Sequence, residues 1–116
     1  MNEPTFAAQL AEDLGPDDVR LVLGVFETDV ARLSGLISAA ARAGDATAFR
    51  RAAHGLAGAA GAVGARALEQ ACRRGMSAAP DADAASLSAT AEQIRLSSAG
   101  ALEELAAFIR TLGPAS

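Results

Sequence analysis

Alanine decides most of what this chain can fold into. It fills 31 of the 116 positions. Ala is the best helix former, whereas the aromatic and β-branched residues that favour strands are scarce here. Trp and Tyr are absent and aromatic residues make up only 3%. An all-α fold is therefore expected. A hydrophobic fraction of 51% is enough to build a core, which argues against a disordered chain. The length suits one domain, spanning residues 1–116.

Charge and cysteine use exclude several classes. All 10 basic residues are Arg, they are scattered, and the formal charge is −4. Nucleic-acid binders usually carry a basic stripe, so none is expected as a partner. One cysteine, Cys72, cannot form an internal disulfide, so nothing points to an oxidising compartment. The N-terminal run MNEPTFAAQLAED has acidic residues and no long apolar stretch, unlike a signal peptide. No run reaches the roughly 18 apolar residues of a membrane span. A cytoplasmic protein without membrane contact is expected.

Breakers divide the chain into helical segments. Phe6, Leu10 and Leu14 form a short stripe that ends at Gly15. Pro16 suits a first helical position, and Asp17 and Asp18 complement the helix dipole. Val19, Val22, Leu23, Phe26, Val30, Leu33, Ile37 and Ala40 then recur at helical spacing up to Gly44. Asp45 is a good N-cap for a third segment with Phe49, Ala52, Ala53, Leu56, Ala60 and Val63 on its apolar face. The fourth runs from Ala65 to about Ser77 with Leu68, Cys72 and Met76, and residues 78–85 read as a loop. Leu87, Ala91, Ile94, Ser98, Ala101, Leu105, Phe108 and Leu112 mark a last long helix that Gly113-Pro114 ends. Gly100 and the Ser97-Ser98 pair are its weak points. Four long amphipathic segments with short connections predict an antiparallel up-down four-helix bundle, with the short first helix capping one end.

Few residues could carry chemistry. One Cys and one His cannot supply a zinc shell, so no metal site is expected. The run GLAGAAGAVGA lacks the Lys and the preceding strand of a phosphate-binding loop. His54 remains. On a helical wheel, Leu56 and Ala60 lie close to Phe49, whereas His54 lies more than a quarter-turn away from that stripe. Gly58 and Gly61 share its side of the wheel. The imidazole should stand exposed in mid-helix. Glycine inside a helix costs about 0.5–1 kcal/mol relative to Ala, so Gly58 and Gly61 suggest room for another surface to approach. A neutral imidazole is a competent nucleophile. With no orienting acid beside it in the sequence, it could accept and give up a group but not run a hydrolytic reaction.

The run AAHGLAGAAGAVGARALEQACRR resembles the signature of histidine-containing phosphotransfer (HPt) domains, through His54, Leu56, Gly58, Gly64, Leu68 and Cys72. The resemblance implies that His54 takes a phosphoryl group from a receiver-domain aspartate and passes it to another. The partner receiver would supply Mg²⁺ and the acidic pocket, so this chain needs no cofactor of its own and is not itself an enzyme. Receiver domains of response regulators or hybrid histidine kinases are the implied partners, and a monomer is expected. The family's usual Lys after Leu56 is Ala57 here. Arg50, one helical turn before His54, could supply the charge instead. Arg50, Arg51, Ala57, Gly58 and Gly61 are the candidate partner-binding residues. The alternative is a non-phosphorylated adaptor of the same fold that docks a receiver or kinase by shape.

Overall fold

Five helices account for nearly all of residues 6–112, the part of the chain that this computed structural model describes: α1 (Phe6–Asp13), α2 (Pro16–Ala43), α3 (Ala46–Val63), α4 (Arg66–Met76) and α5 (Ala84–Thr111). No strand occurs among the described residues. The stop signal Gly113-Pro114 and the first five residues lie outside them. Most described boundaries follow the breakers, although α5 begins at Ala84, two residues inside the stretch expected to be loop. Pro16 opens α2 with Asp17 and Asp18 in its first turn. Asp45 caps α3 by accepting a hydrogen bond from the Ala48 N–H at 3.0 Å. Asp83 caps α5 in the same way through Ser86 at 2.8 Å.

The C-terminal ends of α2 and α3 are set by left-handed glycines. Gly44 (φ 67°) ends α2 and Gly64 (φ 83°) ends α3. At each, the N–H groups of the glycine and the next residue bond back to the carbonyls of the last turn. Gly44 bonds Ala41 and Asp45 bonds Ala40, while Gly64 bonds Gly61 and Ala65 bonds Ala60. An L side chain at either glycine would be strained.

The long helices close a ring: α2 packs on α3 and α5, and α4 packs on the same two. The small α1 touches α5, α2 and α3, and buries Ala7 completely. α3 and α4 run in opposite directions. Gly61 lies against Glu69, Ala53 against Gly75, and Arg50 reaches Ala78. Phe26, Ile37, Phe49, Leu56, Leu68, Leu87, Ile94 and Leu105 fill the centre. Each such side chain contributes about 1.5–3 kcal/mol when buried. Alanines line the helix contacts and let the backbones approach. A close approach in the core is at Gly75, where a Cβ would lie 3.1 Å from Ala53 Cβ and 3.2 Å from both Phe49 Cε1 and Ile94 Cδ1.

One polar residue breaks the pattern. Ser98 is buried and its hydroxyl has no hydrogen-bond partner. The Ser97-Ser98 pair and Gly100 do not interrupt α5, which is continuous through both.

Candidate functional site

The spacing of the buried residues on α3 turns His54 outward. Phe49, Ala53, Leu56 and Ala60 are fully buried, which fixes the rotation of the helix, and His54 on the other side is exposed. Asp45 and Gly64 hold the two ends, so the imidazole stands near the middle of a rigid element. His54 has no side-chain hydrogen bond or ion pair among the described residues. Its ring nitrogens are free to act as a nucleophile. No group of His, Cys, Asp and Glu that could hold a metal occurs among the described residues. From Ala46 to Val63, α3 contains no Asp or Glu, and its charged residues are Arg50 and Arg51.

The candidate neighbours separate into those on open surface and those engaged by the rest of the chain. Gly58 is exposed and a Cβ there would meet nothing within 4 Å, so its side of α3 is open. Arg51 is exposed without a partner among the described residues. Three expectations need correction. Gly61 is exposed, but the space its missing side chain leaves is taken by Glu69 of α4, since a Cβ would lie 2.9 Å from Glu69 Oε2. Ala57 is buried, 8% exposed, so its methyl group belongs to the hydrophobic core rather than to a docking face. Arg50 is not a free cation. Its guanidinium donates to the Ala78 carbonyl at 3.2 Å and to Thr47 Oγ1 at 3.4 Å, tying α3 to the segment after α4. The wheel placed Arg50 and Gly61 on the outer half of α3 correctly. It could not show that α4 and the segment after it stand against them.

An apolar surface that the sequence reading passed over flanks α3. Leu21, Val25 and Leu36 of α2 are 68%, 57% and 52% exposed. Between α2 and α3 lies an open groove of about 550 Å³, lined by Leu33, Leu36, Ala39, Ala48 and Ala52 with Arg32 and Arg51 among its walls. The signal was available: Leu21, Val25 and Leu36 fall off the core stripe of α2, and large apolar residues off the stripe have no core role. A second groove, of about 670 Å³, lies between Phe6, the start of α4 and α5, and none of the candidate site residues lines it.

Comparison with protein families decides what this arrangement belongs to. The family described as Hpt domain matches residues 21–112, which covers α3, α4, α5 and most of α2. The chain belongs to the Hpt domain family. Hpt domains carry out phosphotransfer in two-component signalling and interact with receiver domains there. The all-helical structure is consistent with an Hpt helical bundle. Searches of curated proteins and of solved structures find no match. Among the described residues, no helix is long and apolar enough to cross a membrane.

Proposed function

We propose that this Hpt protein is a phosphoryl carrier in a multistep phosphorelay, with His54 as the acceptor. The observation that carries the reading is the exposure of this unpartnered imidazole in mid-helix beside the open Gly58. In the step, a ring nitrogen of His54 attacks the phosphorus of an aspartyl phosphate on a receiver. The N–P bond forms, the O–P bond to aspartate breaks, and the imidazole proton leaves to solvent. The reverse step hands the group to another receiver's aspartate. The receiver supplies Mg²⁺ and the acidic pocket, and this chain supplies the nucleophile and a face to dock on. It is a cytoplasmic monomer with no cofactor of its own, and its α2–α5 form an antiparallel up-down bundle capped by α1.

The exposed apolar residues of α2 and the groove lined by Arg51 support docking of a partner on the helix that bears His54 and its neighbour. Arg32 and Arg51 suit an acidic rim on the partner. The buried Ala57 keeps the second reading in play, an adaptor that docks without accepting the group. Incubation with a panel of phosphorylated receivers separates the two. The carrier reading expects acid-labile label on the parent and none on His54→Gln. Gly58→Leu should stay folded and take label at least several-fold more slowly, because a side chain then fills the approach. A parent that binds receivers but takes no label makes the protein an adaptor. Equal labelling of His54→Gln and parent overturns the assignment of His54.

A further inference from the structure

We propose that Arg73, projecting from α4, is the cation that meets a phosphoryl group on His54, giving up its carboxylate partner Glu69 to do so. The proposal rests on the phosphocarrier reading above.

A phosphoryl group places a charge of about −1.5 to −2 on an exposed stretch of helix. On α3 itself, Arg50 is already committed to Ala78 and Thr47. Arg51 has no partner, but its side chain lies along the groove toward α2. The register of α4 supplies another cation. Gly61 lies beside Glu69, Ala53 beside Gly75 and Arg50 beside Ala78, so Arg73 falls level with residues 55–57 of α3. At about 1.5 Å of rise per residue, that is within about one turn of His54 along the axis.

The flank is settled as well as the level. Glu69 lies against Gly61, and Gly61 is on the same side of α3 as His54 by the helix repeat. Arg73 stands one turn after Glu69 on that same flank and is bonded to it, Nη2 to Oε2 at 3.3 Å. Arg74, about 100° further round α4, leaves on the other side. The Arg73 side chain is 69% exposed, so the pair with Glu69 is a weak surface contact. A phosphoryl group offers more charge and can be bound by two guanidinium N–H groups at once. Glu69 thus holds Arg73 beside the α3 face while His54 is unmodified. The position takes over the charge that Ala57 cannot supply.

The test loads His54 with phosphoramidate, a small donor that needs no protein partner. A ring nitrogen takes the phosphoryl group, the P–N bond of the donor breaks and ammonia leaves. Phosphorus NMR then follows the pH titration of the phosphoryl group in about 20 mM salt. A cation close by favours the dianion and weakens its hold on the last proton. Arg73→Ala and Arg73→Gln should each tighten that hold about threefold, and high salt should erase most of the difference. Arg73→Lys should restore most of the parent's behaviour, and Arg51→Ala should change the titration less than Arg73→Ala. A titration unmoved by both neutral variants overturns the proposal, as does a larger effect from Arg51→Ala. Failure of the carrier reading looks different: the parent then takes no label on His54 from phosphoramidate or from any receiver, and the proposal falls with it.

Discussion

Adding one methyl group at two glycines should move stability in opposite directions. At Gly75 the new Cβ would lie 3.1 Å from Ala53 Cβ and 3.2 Å from Phe49 Cε1 and Ile94 Cδ1. Comfortable carbon–carbon contact begins at about 3.5 Å. Phe49 and Ala53 are fully buried and Ile94 is 1% exposed, so none can step aside into solvent. Helix propensity favours Ala over Gly by up to about 1 kcal/mol, but overpacking a filled core costs about 1–3 kcal/mol. Gly75→Ala should therefore lose about 0.5–2 kcal/mol. At Gly58 the same methyl meets nothing within 4 Å, so only the propensity gain remains, about 0.5–1 kcal/mol. Urea unfolding followed by circular dichroism measures both. At a slope of about 1–3 kcal/mol per molar, the two midpoints should separate by roughly 1 M, on either side of the parent. A Gly75→Ala protein as stable as the parent, or two variants shifted the same way, would refute the packing argument.

Ser98 and Cys72 give two further expectations. The Ser98 hydroxyl is buried without a partner, so Ser98→Ala should gain about 1 kcal/mol, seen as a Tm roughly 4 °C higher in a thermal melt; a lower Tm would mean the hydroxyl is satisfied. Burial, with a smaller effect from Glu69, pushes the Cys72 thiol up from 9.0 to about 11. The native protein should therefore be inert to Ellman's reagent at pH 8 and react fully in denaturant. Between pH 9 and 11 the unfolded chain releases the proton that the folded chain keeps, so stability should fall as pH rises through that window. Prompt reaction of the native protein at pH 8 would contradict the burial.

Much of the fold was legible because its signals are local. Pro16, Asp45, Gly44 and Gly64 set helix ends through their own backbone chemistry, and the spacing of Phe49, Leu56 and Val63 fixed which way His54 points. What could not be read was how a neighbouring helix meets an exposed-looking face. Gly61 and Arg50 lie on the outer half of α3 by periodicity, yet Glu69 stands against one and Ala78 engages the other. Those contacts depend on how closely α4 packs on α3, and Gly75 is one place where that packing is tight. Gly75 follows Arg73-Arg74 in a segment with no distinguishing pattern. Ala57 was misread for a related reason, since it falls near the edge of the apolar stripe, where the packing of neighbouring helices decides burial.

The caps of α3 have a consequence for how long a partner can stay. Asp45 and Gly64 close off its two ends with bonds made inside the chain, so the helix bearing His54 is ordered before anything docks. A partner that meets an ordered nucleophile does not have to give up binding energy to arrange it. Reactive alignment and tight binding are thereby uncoupled. A carrier has to leave each partner as readily as it finds it, and a nucleophile positioned by its own helix caps can react during a brief encounter.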